Sequence, residues 1–410
     1  MKKASQQQIK EQNQSLVLKI VFEHENTSRA EIARISHLTR TTVSDIVNGL
    51  IEEGLVNEIG TGISIGGKSP ILISLVDDSR LLIALDLAQN SFSGAVVNLR
   101  GQIRELISQP IHGRNGEKSL QVAYEIIDHL IQCSSQPLVG ISLATPGLVN
   151  TREGIVIQAV NMDWRNFPLG PILQERYHLP VYVLNDCQAV AMGEYQYGKY
   201  PSEVNMIVVR VGRGIGAGII LNGQIFPGDS GYAGEIGHLV CVHSEGLPCR
   251  CGNSGCLETV SSATAVVQIA ESLAPGTAAS ILAENRGQIT LDGLEKAFYA
   301  GDELAQQIVL TAGNYLGEVI ATLVGGLNVD RVILTGIMTR FGQPWLEAVR
   351  KNAQRNILPR LAQEISIEIG LLKNNEAILG AAAVMASNYD LLFNWKVSSG
   401  RPGQVMPTGR

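Results

Sequence analysis

Between residues 43 and 51 the apolar side chains Val43, Ile46, Val47, Leu50 and Ile51 fall at i, i+3, i+4, i+7 and i+8, the period of one helical face. Upstream, Ile32, Ala33 and Ile35 predict a shorter helix capped by Ser28, with Glu31 three residues on as the partner of a capping box. A turn around residues 36–39 joins the two helices. Polar Arg40, Thr41, Thr42 and Ser44 stand at the start of the second, which is the layout of a helix-turn-helix. The runs 55–59 and 70–76, around a loop holding Gly66, Gly67, Lys68 and Ser69, predict a two-stranded wing.

Near residue 80 the pattern changes from short polar-rich helices to strands alternating with helices. Strands are predicted at 81–86, 94–99, 138–144, 181–185, 206–211, 218–226, 332–335 and 365–369, with helices such as 120–132 and 304–327 between them. Such alternation means an α/β architecture with largely parallel sheets, and Asn222-Gly223 marks an antiparallel hairpin inside it. More than 300 residues is long for one α/β layer, so two lobes with a ligand-binding cleft are expected.

The 410 residues are 45% hydrophobic, 17% charged and 5% aromatic, the balance of a chain that buries a core, which excludes disorder, collagen and a disulfide-stapled miniprotein. A net charge of −6 argues against a protein that coats a polyanion. Its distribution qualifies that exclusion: residues 1–80 carry −1 and residues 81–410 carry −5, whereas residues 1–50 alone carry +2. The positive charge therefore gathers on the two helices. There Thr and Ser suit phosphates or base edges, Arg suits guanine or phosphate, and Lys68 adds a cation in the wing. Asp45 speaks against this, since a carboxylate repels phosphate unless it accepts from a cytosine amine. Two helices and a hairpin equally describe a plain packing module. No uninterrupted apolar run approaches roughly 20 residues. Lys2 and Lys3 precede a Gln run rather than the apolar core of a secretory signal. A cytoplasmic chain with no membrane insertion and reduced cysteines is expected.

Among those cysteines, Cys133, Cys187 and Cys241 are scattered while Cys249, Cys251 and Cys256 crowd together behind His238. Three thiols and an imidazole suit one closed tetrahedral zinc site, structural because no position stays open for water, and Gly252 and Gly255 let the backbone point the ligands inward. Reduced thiols without metal, or Cys241 or His243 in place of one ligand, are the alternatives. Gly212, Gly214, Gly216 and Gly218 suit either backbone amides approaching a phosphate or close strand packing at a bend, and both readings stand. Asn161 with Trp164, Asn185 with Asp186, Glu235 with His238, and Glu258 form a polar set that suits sugar hydroxyls, each member being equally suited to a turn or cap.

Together these runs resemble the ROK family of sugar-responsive repressors and sugar kinases. The resemblance is carried by Gly234-Glu235-Ile236-Gly237-His238 followed by Cys249, Cys251, Cys256 and Glu258, and supported by Ala144, Pro146 and Gly147, Asn161 and Trp164, Asn185-Asp186, Gly212 to Gly218, and Glu376 with Gly380. It spans nearly the whole chain and implies an actin-like, two-lobed fold behind the winged helix-turn-helix. The organisation expected is a DNA-binding domain at 1–76, a sugar-binding and dimerisation domain at 77–395 with zinc at 238–256, and a flexible tail at 396–410. The resemblance implies that Asp186 matches the kinases' catalytic base and that Asn161, Asn185, Asp186, Glu235, His238 and Glu258 hold the sugar, His238 serving sugar and zinc at once. Kinase members carry an Asp-x-Gly-Gly-Thr phosphate loop, whereas here Asp86-Leu87-Ala88-Gln89-Asn90 has neither glycine. Arg213 and Gly336-Ile337-Met338 also depart from the kinase pattern. The expectation is therefore a non-enzymatic repressor: a homodimer or higher oligomer on a double-stranded operator through Arg40, Thr41, Thr42, Ser44 and Lys68, tuned by a sugar effector. An ATP-dependent sugar kinase with a DNA-binding appendix is the alternative, and control by a sugar-transport protein docking on residues 389–395 is a third.

Overall fold

The computed structural model describes residues 6–63, 69–113, 115–201, 204–277, 279–285, 288–373, 375–388 and 392. It divides into two units, one of Met1–Asp186 with Ala377–Arg410 and the other of Cys187–Glu376. Lys68, the tail 396–410 and the 389–395 docking segment except Leu392 lie outside the described residues.

The first unit begins with helix α1 (Gln6–Glu23), a short strand β1 (Thr27–Ser28), α2 (Arg29–Ser36) and α3 (Arg40–Glu52), then strands β2 (Val56–Thr61) and β3 (Ile71–Leu75). Side chains start both later helices: Ser28 Oγ accepts the Glu31 N–H at 3.2 Å and Thr39 Oγ1 accepts the Thr42 N–H at 3.1 Å. The expected capping box is half made, because Arg34, a charged donor three residues on, takes the Glu31 carboxylate. His37, in the left-handed region, ends α2 inside the predicted turn. The periodic residues Val43, Ile46, Val47 and Leu50 are buried, with Leu18, Ile32 and Ile73 packed into the same module. The three strands order β1-β3-β2, all antiparallel. This is a winged helix-turn-helix.

The unit continues as α/β. Strands β4 (Leu81–Leu87), β5 (Ser91–Asn98) and β6 (Ile103–Pro110) form an antiparallel meander, followed by helix α4 (Glu117–Cys133) and strand β7 (Leu138–Thr145). A small sheet of β8 (Leu148–Asn150), β9 (Ile155–Ala159) and β10 (Trp164–Phe167) leads through α5 (Leu169–Tyr177) to β11 (Val181–Asn185). The main sheet has the order β11-β7-β4-β5-β6, with β7 parallel to both β4 and β11. The pattern does not predict β6 because Glu105 and Gln109 interrupt its half-buried face and Leu106 stands on the exposed one, nor β8 to β10 because they are three to five residues long.

Helix α6 (Asp186–Tyr197) leads into the second unit, whose meander is β12 (Met206–Val211), β13 (Ile215–Leu221) and β14 (Gln224–Ile225). The stretch 218–226 is thus split at the Asn222-Gly223 turn that its sequence marks. Helices α7 (Glu258–Ser261), α8 (Ala263–Leu273), α9 (Leu291–Tyr299) and α10 (Glu303–Leu327) precede β15 (Arg331–Thr335). Helices α11 (Gly342–Arg355) and α12 (Pro359–Glu364) precede β16 (Ser366–Ile369), and α13 (Glu376–Ala386) carries the chain back to the first unit. The sheet order is β14-β13-β12-β15-β16, with β12, β15 and β16 parallel. Among the described residues α10 is the one helix whose length and apolar composition would reach across a bilayer. Ile308, Leu316, Ile320 and Val324 instead bury one side of it in the core of this unit, beside Trp345 and Val349 of α11.

Candidate functional site

Three places gather the sequence candidates. The first is the start of α3. Arg40 and Thr41 are exposed and Ser44 half-exposed, and at 100° per residue they share a solvent-facing arc with exposed Asp45 and Asn48. Thr42 instead holds the start of the helix, its hydroxyl lying 2.8 Å from the Thr39 hydroxyl and its N–H capped there. Sequence reasoning missed Asn48, although it stands one turn beyond Ser44 on that face.

The second place is one edge of the first unit's main sheet. The parallel register, Asp86 opposite Ala144 and Thr145 opposite Asn185, brings the C-terminal ends of β4, β7 and β11 together. Ligands of open α/β sheets bind at such edges. Asn185 is buried and its Nδ2 donates to the Gly147 carbonyl at 3.0 Å, tying β11 to the loop after β7. Asp186, half-buried, is the first residue of α6, where the helix dipole favours a carboxylate. Asn161 lies in the 3-10 turn Val160–Met162, and its side chain is outside those described. Trp164 belongs to the core: it is buried, stacks on Phe167 with centroids 4.8 Å apart, and donates Nε1–H to the Gly116 carbonyl at 3.1 Å. The stretch 88–90 is the tip of the β4–β5 hairpin, with Gln89 and Asn90 exposed.

The third place is in the second unit. The glycines at 212–218 belong to a hairpin between antiparallel strands, and three of them have a packing reason. A Cβ at Gly214 would lie 2.4 Å from Glu258 Oε2, one at Gly216 2.6 Å from Cys187 Sγ, and one at Gly218 2.3 Å from the Ala191 Cβ. Glu258, with a side chain 13% exposed, accepts the Ile215 N–H at 3.1 Å and pairs with Arg250 at 3.0 Å. The Gly234-to-His238 motif lies flat against β13. Gly234 has φ +102°, its carbonyl accepts the Ala217 N–H at 2.8 Å, and a Cβ there would stand 1.8 Å from the Ala217 oxygen. A Cβ at Gly237 would stand 2.2 Å from the Ile215 oxygen. The two glycines thus set the positions of Glu235 and His238.

From His238 the chain loops out and returns at Cys256. One ligand atom each from His238, Cys249, Cys251 and Cys256 lies within 4.8 Å of the other three, the one such His/Cys/Asp/Glu group among the described residues. His238 Nδ1 is 3.5 Å from Cys249 Sγ, and the Cys251 and Cys256 sulfurs are 3.6 Å apart. Ligands at about 2.0–2.3 Å from a tetrahedral zinc are about 3.3–3.8 Å from one another, so these two spacings match that ion and the chemistry of the four donors suits it. Gly255 makes the return possible, with φ +76° and a position where a Cβ would lie 1.9 Å from the Val242 oxygen. A bond from the Asn253 backbone lowers the Cys251 thiol from its ordinary range, while burial and its sulfur neighbours push Cys256 up. A dication relieves that charge conflict, since metal binding draws off thiol protons. Burial raises the Cys241 thiol to about 11, and neither Cys241 nor His243 is in the group.

Comparison with known proteins brings these observations together. The model of the ROK family matches residues 82–388 and that of the MarR family residues 10–58. The xylose repressor of Caldicellulosiruptor bescii is 31% identical over 387 residues, spanning 93% of this chain and 96% of that protein. The glucokinase of Halalkalibacterium halodurans is also 31% identical, over 322 residues, 78% of this chain and 92% of that protein. A solved ROK family transcriptional regulator, described as a homolog of the E. coli MLC protein, matches with a TM-score of 0.83 at 25% identity over 94% of this chain and 98% of that one.

Proposed function

The chain belongs to the ROK family, and from that premise we propose that it is a sugar-responsive transcriptional repressor. The observation that carries the reading is a winged helix-turn-helix ahead of the family body. A xylose repressor is matched across both, whereas the glucokinase match covers 78% of the chain. In this reading the DNA-binding domain is residues 1–76, the effector and dimerisation domain 77–395 and the tail 396–410. Arg40, Thr41 and Ser44 address the major groove, with Lys68 in the wing, and Thr42 sets the helix start. One short helix offers few base contacts, so a homodimer on two half-sites is part of the proposal. The location is cytoplasmic.

The effector is a sugar whose hydroxyls engage Asn161, Asn185, Asp186, Glu235, His238 and Glu258. His238, Cys249, Cys251 and Cys256 hold a structural zinc, which neutralises the thiolates and fixes the imidazole. With Nδ1 turned to the sulfurs, His238 keeps Nε2 for a sugar hydroxyl. The sugar must bind one arrangement of the repressor better than the other, since equal affinity shifts nothing. The test is gel shift of an operator against single sugars. One sugar is expected to change operator affinity, and sugar binding by calorimetry with no such change overturns the coupling. Residual sugar-kinase activity is the second reading, favoured by Asp186 at the head of α6. ATP-dependent sugar phosphorylation at ordinary turnover would promote it over the first.

A further inference from the structure

Arg29 touches three parts of the DNA-binding module. It is the first residue of α2 and directly follows β1, whose Thr27 and Ser28 pair with Ile73 and Leu72 of β3. From there Nη1 donates to Glu58 Oε1 of β2 at 2.8 Å, and Nη2 donates to Asn48 Oδ1 of α3 at 3.0 Å. The helix dipole disfavours a cation in a first turn, and the Glu58 carboxylate offsets that. A guanidinium also holds two acceptors in one plane, as a lysine cannot. Glu58 stands at the foot of a β-bulge: the β2–β3 register shifts between Glu58 and Gly60, and Gly60 has φ +133°. A bulge bends and twists its strand, so the direction of the hairpin beyond Glu58 depends on what holds its base. Asn48 lies on the face of α3 that presents Arg40, Thr41 and Ser44.

We infer that Arg29 is a positioning residue that fixes the angle between the recognition helix and the wing hairpin, so that both reach the duplex without being ordered at the moment of binding. This rests on the operator-binding reading above. The ion pair is exposed, with side chains 25% and 44% accessible, and such pairs add little to folding stability, so its loss should appear in DNA affinity while the fold persists.

The test uses the full chain and a duplex enriched by the wild-type protein from a random-sequence library. Glu58→Gln removes a negative charge, which bulk electrostatics alone would turn into tighter binding. Positioning instead predicts binding weaker by roughly three- to tenfold, the scale of ordering an interface element on association, with the salt dependence unchanged. Arg29→Lys should weaken binding comparably. The double variant Arg29→Gln with Glu58→Gln should be no weaker than the poorer single variant. Unchanged or tighter binding by Glu58→Gln, at a melting temperature equal to wild type, overturns the inference alone. So does wild-type affinity in Arg29→Lys with a salt slope lower by about one in Arg29→Gln, the signature of a direct phosphate contact. If the wild-type chain enriches no duplex, the operator reading falls and this inference with it.

Discussion

The two five-stranded sheets share a topology and differ at their first turn. Each is a three-stranded antiparallel meander whose first strand continues into two parallel neighbours: β6-β5-β4-β7-β11 in one unit and β14-β13-β12-β15-β16 in the other. The first meander turns through Ala88, Gln89 and Asn90, the second through Gly212, Arg213 and Gly214. A glycine-bearing turn beside a glycine-free one would suggest that a phosphate site survives in one unit only. The packing points elsewhere. Gly214 leaves room for the Glu258 carboxylate, and Gly216 and Gly218 leave room for α6, so packing gives these glycines a reason of its own. Among the described residues the second unit carries the one His/Cys metal group, and Glu258 follows directly from it. Similar glycine spacing can thus answer to packing as well as to ligand chemistry.

The largest effect that sharpens this contrast is expected in the loop without a counterpart. Cys251→Ser should reduce bound zinc from one per chain to near none and make residues 239–257 protease-sensitive, because structural zinc is worth on the order of 10 kcal/mol in small metal sites. Metal analysis and limited proteolysis read this, and full metal content in the variant would remove Cys251 from the ligand set. Next comes a matched pair of glycines on the second strand of each meander. At Gly218 a Cβ would strike the Ala191 Cβ at 2.3 Å and the Cys187 carbonyl at 2.8 Å, groups that cannot swing aside, so Gly218→Ala should lose about 3 kcal/mol. At Gly94 the obstacles are the Ile126 Cγ2 at 2.4 Å and a Leu130 methyl at 3.0 Å; the Leu130 methyl can swing aside, but Ile126 is β-branched and fully buried in α4, so strand and helix must separate and Gly94→Ala should lose about 2–3 kcal/mol. A loss under about 1 kcal/mol at either glycine in urea denaturation would show that the sheet there yields to a methyl group. The smallest effect belongs to the first turn: Ala88→Gly with Gln89→Gly should lower stability by about 0.5–1 kcal/mol per residue. No ATP-dependent phosphorylation of sugars should accompany it, and its appearance in a coupled assay would show that the first turn alone separates this chain from the kinases.

Legibility follows chain distance. The helix at 40–52 can be read because Val43, Ile46, Val47 and Leu50 repeat at the helical period and all are buried. The metal group can be read because three of its ligands fall within eight residues, with His238 just upstream. Strand β6 cannot, since polar Glu105 and Gln109 fall on its inward face and Leu106 on the exposed one, which erases the alternation. Trp164 falls among polar candidates because Asn161 stands nearby in sequence, while its ring is spent on Phe167 and its N–H on Gly116, 48 residues away. Arg29 gives no local signal because Glu58 is 29 residues off.

The sequence by itself determined the kinds of most elements, the winged module at 1–76, the crowding of Cys249, Cys251 and Cys256 behind His238 and the absence of glycine at 88 and 89. These depend on backbone periodicity and on side-chain chemistry carried by near neighbours. Only the tertiary structure decided that Gly214, Gly216 and Gly218 make room for protein, that Thr42 serves the start of its helix, and that Arg29 links helix to wing. Close packing makes each of these a matter of which distant groups occupy the neighbouring space, and no local pattern encodes that.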